Sequence, residues 1–124
     1  MEDRGFQFAD GVYEVLASYG GRPFAQGPHF RRLEHSLKAL RIALDIRAYG
    51  LGDIVRQGIE HSGFAETLVY IQITRGTAPR HHEFPAAGTR PTVVVTVKEL
   101  RRPAAELYER GVKVVSTPDL RWKR

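Results

Sequence analysis

From Val12 to Tyr19 apolar and polar residues alternate, with Val12, Glu14 and Leu16 on one side and Tyr13, Val15 and Ala17 on the other. That period of two predicts a strand, entered through an Asp10-Gly11 turn. Ahead of it, residues 3–11 are rich in turn formers, with Phe6 and Phe8 as apolar anchors on either side of Gln7. Gly20-Gly21 supplies the positive-φ pair of a tight hairpin, and Arg22 to Ala25 is the short returning strand. After Gly27-Pro28 the period lengthens. Phe30, Leu33, Leu37, Leu40 and Leu44 recur at helical spacing while Arg31, Glu34, Lys38 and Arg41 face outward. Pro28 suits a first helical turn, where its missing N–H costs nothing. A second amphipathic segment, Leu51 to Ser62, carries Leu51, Ile54, Val55 and Ile59 on one stripe and stops at Gly63.

Thr67 to Thr74 returns to alternation, with Val69, Ile71 and Ile73 opposite Tyr70, Gln72 and Thr74, until Gly76 and Pro79 break the ladder. Thr92 to Lys98 predicts a strand apolar enough to be buried on most of both faces. Pro103 opens a short helical piece, Ala104 to Arg110, and Gly111 leads into a last strand at Val112 to Thr117. Strands and helices do not alternate as in a doubly wound sheet. The expected architecture is α+β: a mostly antiparallel sheet with its two longer helices packed on one face.

With 124 residues the chain is a single domain, 1–124, with one core. Apolar residues at 42% and charged residues at 27% are ordinary for a soluble globular protein, and no apolar run is long enough for a membrane span. No leader pattern opens the chain, so a cytoplasmic location is the default. Cysteine is absent, which excludes disulfides and thiolate metal sites. The net charge of +5 would suit a nucleic-acid binder. Its cations, however, form short separate groups (Arg31-Arg32, Arg101-Arg102, Arg121 to Arg124) without any nucleic-acid-binding signature. The excess charge equally fits one half of a larger protein whose other half is acidic.

The chemistry-bearing stretch follows the strand at Thr67. Arg75, Arg80, His81 and His82 bring four cations or potential cations together, and in extended backbone Arg80 and His82 share a face while His81 points away. A guanidinium beside an imidazole suits a carboxylate: the fork takes both oxygens and the ring adds a third donor. A basic, solvated loop has the same spacing. His29 and Arg32 fall near the start of the first long helix, where the dipole favours an anion such as phosphate; two surface residues have the same pattern. Tyr13, on a strand, is by default a core aromatic with a satisfied hydroxyl.

Taken together, Glu2 to Val15, His29 to Leu33, Tyr70 to His82 and Asp119 to Arg124 resemble the class IV (fold type IV) pyridoxal-phosphate aminotransferases, with the bacterial D-amino acid branch nearest. Four separated matches in the same order span essentially the whole chain. The resemblance implies that Arg32 holds the phosphate of pyridoxal 5'-phosphate. It further implies that Tyr13, Arg80 and His82 trap the substrate α-carboxylate, Arg80 and His82 reaching in from the other subunit of a homodimer. His29 and Arg121 would stand behind the cofactor's pyridine nitrogen.

The implied reaction moves an amino group between D-amino acids and 2-oxo acids, with no nucleic acid or membrane involved. Two departures stand out. Family members carry about twenty further residues ahead of Asp3 that pair into the sheet. The lysine that holds the cofactor covalently follows the Arg-Trp-x-Arg stretch, beyond residue 124; Lys123 occupies a variable position within that stretch. The resemblance therefore predicts the small N-terminal domain of a split or truncated enzyme, inactive alone. Alternatives are a branched-chain aminotransferase, an aminodeoxychorismate lyase, or a non-catalytic basic module for nucleic acid or another anion.

Overall fold

The computed structural model describes residues 2–119. A short helix, α1 (Arg4–Phe8), precedes β1 (Gly11–Tyr19), β2 (Arg22–Pro23), α2 (Gln26–Ala39), α3 (Leu51–Ser62), β3 (Glu66–Thr74), β4 (Thr92–Glu99) and α4 (Ala105–Arg110). The strands form one antiparallel sheet in the order β2-β1-β3-β4. Its register follows from alternation. Val12, Glu14 and Leu16 lie opposite Ile73, Ile71 and Val69, which in turn lie opposite Val93, Val95 and Val97. These rows share one face, and α2 covers it over β1 while α3 covers it over β3 and β4. Leu33 and Leu37 of α2 and Leu51, Val55 and Ile59 of α3 close the core against that face, with Ile42 and Ile46 sealing it from the connecting segment. The α+β architecture with two helices on one face is the one the hydrophobic pattern predicts.

The opposite face is left open by the two long helices, and Tyr13, Leu68 and Val94 are exposed on it. Gly20 and Gly21 take φ values of 55° and 73°, as the tight hairpin requires. Gly76 at φ 102° closes β3, with the Arg90 carbonyl oxygen 1.9 Å from where a Cβ would stand. Only glycine fits there.

Several expectations need correction. Residues 4–8 form a helix rather than a turn, because the Asp3 side chain caps the Gly5 N–H at 2.8 Å and Ala9 ends it in the left-handed region. The returning hairpin strand is only Arg22–Pro23. Helix α2 stops at Ala39, so Leu40 is exposed and Leu44 packs from outside the helix; on α3, Ile54 faces solvent. β4 is an edge strand with only one face against the core, which leaves Val94 45% exposed despite its composition. Residues 112–117 form no strand: Val112, Val114 and Val115 are exposed without a ladder partner among the described residues. Alternation by itself does not make a strand; the segment must also pair with one.

Candidate functional site

Glu14 belongs to the covered face of β1, between Val12 and Leu16, and is 2% exposed. A carboxylate alternated into a core row needs partners, and α2 provides two from directly above. The Arg32 fork donates from Nε to Oε1 and from Nη2 to Oε2, both at 2.6 Å, and His29 Nδ1 lies 2.9 Å from Oε2. The Arg32 hydrogen bonds are the main reason the Glu14 carboxyl is held below its ordinary range; burial opposes them and His29 adds to them. An ionised carboxylate only accepts, so His29 donates from Nδ1. Glu14 reciprocally raises the Arg32 guanidinium above its ordinary value.

The Arg32 side chain is 68% exposed and leaves Nη1 and the far hydrogen of Nη2 outward, beside a depression lined by Pro28, His29 and Arg32. Helix α2 begins at Gln26, so Arg32 stands in its second turn rather than its first; a β-strand carboxylate, more than the dipole, sets its direction. A guanidinium clamped on one edge and open on the other fits a phosphate. These residues fit the phosphate of the implied cofactor.

The four cations of the 75–82 stretch separate into two kinds. Arg75 is buried: Nε and Nη2 donate to Asp10 at 2.7 and 2.9 Å, Nη1 to the Arg41 carbonyl at 2.9 Å and Nη2 to the Leu40 carbonyl at 2.7 Å. Its guanidinium also lies 4.3 Å from the Phe84 ring centre. Arg4 donates from Nε to the same Asp10 Oδ2 at 2.8 Å. Burial works against ionising Asp10, but hydrogen bonds from Arg75 and Arg4 outweigh it and hold the carboxyl below its usual range. Arg75 therefore ties the end of β3 to the turn before β1 and to the end of α2, with no face left for a ligand.

Arg80 and His82 remain exposed, and both meet the Phe8 ring, Arg80 Cζ at 5.2 Å and the His82 ring at 5.5 Å from its centre. The His81 backbone carbonyl, between them, accepts from Arg4 Nη1 at 2.8 Å. Tyr13 is 64% exposed on the open face, stacked on Tyr70 at 5.8 Å, and Tyr70 donates to Gln72, which donates to the Val12 carbonyl. The chain thus groups Arg80 with His82, while the ring neighbour of Tyr13 is Tyr70. The core-aromatic default for Tyr13 does not hold. Arg121 lies outside the described residues.

Sequence reasoning passed over Glu14, Phe8, Arg4 and Asp10. Glu14 had a signal, an acid on the apolar side of an alternating strand; the roles of the others depend on contacts across 65 or more positions.

The whole arrangement is similar to the solved 4-amino-4-deoxychorismate lyase of Pseudomonas aeruginosa: TM-score 0.76, 27% identity, covering 90% of this chain and 40% of that one. The branched-chain amino acid aminotransferase of Escherichia coli shares the fold alone, at TM-score 0.73 and 18% identity over 81% of this chain and 35% of its own. This is the sheet-and-helix domain of fold type IV enzymes. Residues 11–124 match the sequence profile of amino-transferase class IV, and the chain belongs to that family. It is 37% identical over 123 residues to a D-alanine aminotransferase of Staphylococcus epidermidis, and 35% identical over 124 to one of Bacillus licheniformis. Those matches cover 99% and 100% of the chain; it spans 43% of the length of each relative.

Proposed function

We propose that this chain is the small N-terminal domain of a homodimeric, pyridoxal-phosphate-dependent enzyme that transfers amino groups between D-amino acids and 2-oxo acids. The observation that carries the reading is the pairing of Arg80 and His82 on one half-buried ring, beside a family match and D-alanine aminotransferase relatives that run the length of the chain. When bound, the cofactor supplies an electron sink for carbanionic chemistry at the substrate α-carbon. The residues of this chain hold charge. Arg32, clamped by Glu14 and flanked by His29, presents its outward N–H groups to the phosphate. Arg80 offers a two-point contact to the substrate carboxylate, His82 a further donor and Tyr13 a hydroxyl, the pair coming from one protomer and the tyrosine from its partner. Arg121 would act with His29 near the pyridine ring. The covalent step belongs to a lysine that the resemblance puts beyond residue 124, so residues 1–124 by themselves form no lysine-bound cofactor.

Arg80→Lys in the intact enzyme tests the reading. An ammonium cannot make the planar two-point contact, so KM for D-alanine should rise about tenfold or more while kcat changes little. An unchanged KM removes Arg80 from the site. Preference for branched-chain L-amino acids, or release of a lyase product without an amino acceptor, would replace the D-amino acid assignment. Among the described residues no helix is long and apolar enough to cross a membrane.

A further inference from the structure

Arg80 and His82 lie in a segment without regular secondary structure, at exposed positions, and neither has a carboxylate partner among the described residues. Two rotamer-rich or freely rotating side chains on such a loop would not by themselves present a fixed receptor. What they share is Phe8, the last residue of α1.

The ring is itself anchored. Arg4, 4.8 Å from the ring centre on the same helix, is fixed by Asp10 and reaches the His81 carbonyl between the two ligand residues. The Arg4 N–H donates to the Gly76 carbonyl at 2.9 Å, Asp3 bridges to Thr77, and the Ala78 N–H donates to the Glu2 carbonyl at 3.2 Å. The segment before β1 is thus stitched along the whole descent from β3 into the 80–82 stretch. One end of α1 holds the loop backbone; the other presents an aromatic face to its side chains.

We propose that Phe8 is a positioning residue of the carboxylate site. Its π-face draws the Arg80 guanidinium, the His82 ring packs against it at a tilt of 54°, and the two are held on one side of the loop as a preformed pair. The inference rests on the reading of Arg80 and His82 as carboxylate ligands. Phe8 does not touch the substrate; it sets where the two donors stand before the anion arrives.

The test uses Phe8→Leu, which keeps an apolar body and removes the ring, and Phe8→Tyr, which keeps the ring. In the intact enzyme, Phe8→Leu should raise KM for D-alanine roughly five- to tenfold with kcat within about twofold, and Phe8→Tyr should stay near wild type. The His82 ring protons, displaced by the Phe8 ring current in substrate-free protein, should move toward free-imidazole positions in Phe8→Leu and stay in Phe8→Tyr. Combined with Arg80→Lys, the Phe8→Leu effect should largely vanish, because the donor it aims is already altered. If Arg80→Lys itself leaves KM unchanged, the carboxylate reading fails and this inference with it. If Arg80→Lys raises KM but Phe8→Leu leaves it at wild type, or lowers only the melting temperature, or multiplies independently with Arg80→Lys, Phe8 has no positioning role.

Discussion

Asp10→Asn tests the tie on which the loop geometry depends. The substitution keeps the shape and removes the charge. Asp10 Oδ2 accepts from both Arg4 Nε and Arg75 Nε, and Oδ1 from Arg75 Nη2. Asparagine will orient its oxygen toward the two Nε donors, which sets its NH2 against Arg75 Nη2 and loses that bond outright, about 1.5–3 kcal/mol for a charge-assisted contact. The two retained bonds lose their ionic character, and two guanidinium groups with side chains 4% and 9% exposed lose their counter-charge. The total comes to about 3 kcal/mol, or roughly 10 °C in melting temperature for a domain of this size.

Urea unfolding of the purified protein at pH 7 measures it as a lower midpoint with an unchanged slope. The pH dependence supplies an internal control. Asp10 has a folded-state pKa below its unfolded value, so its contribution is present above the ordinary carboxylate range and is lost as pH falls through the lowered value. Wild type and Asp10→Asn should therefore converge in acid. A difference under about 1 kcal/mol at pH 7, or a gap that stays constant into acid, would refute the assignment of Asp10 as the counter-ion of a buried pair of arginines.

The other substitutions are shorter to state. Gly76→Ala puts a methyl 1.9 Å from the Arg90 carbonyl oxygen at a φ of 102°, so a backbone segment must shift to admit it. It should cost at least about 3 kcal/mol, seen as a lower urea midpoint, whereas Gly21→Ala, with open space around it, should cost about 1 kcal/mol from its φ alone. Glu14→Gln removes the charge and one of the two bonds that clamp Arg32 and should weaken pyridoxal phosphate binding by the intact enzyme on the order of tenfold in a fluorescence titration. The far-ultraviolet circular dichroism should be unchanged; unchanged affinity would mean that Arg32 needs no clamp.

How far each feature was legible depends on the range of its cause. The period of two in Val12–Tyr19 and Thr67–Thr74 and the helical period from Leu51 to Ser62 depend on neighbours a few positions away, and those elements stand where the pattern puts them. The same local rule overreached at Val112–Thr117 and on the second face of β4. Burial there depends on a partner layer, and no residue within the segment encodes one.

The site divides in the same way. The amino-acid sequence on its own determined that Arg80 and His82 stand two positions apart in a basic stretch and that His29 and Arg32 fall near the start of the first long helix, because these placements depend only on neighbours along the chain. It also carried the family likeness, through four short matches. Only the tertiary structure decided which cations remain open. Arg75 is consumed by Asp10 and two carbonyls, Arg32 is half consumed by Glu14, and Arg80 rests on Phe8. The physical reason is that an ion pair forms where folding brings a buried acid within hydrogen-bond reach. Asp10 and Arg75 are 65 residues apart along the chain, so no local pattern could pair them.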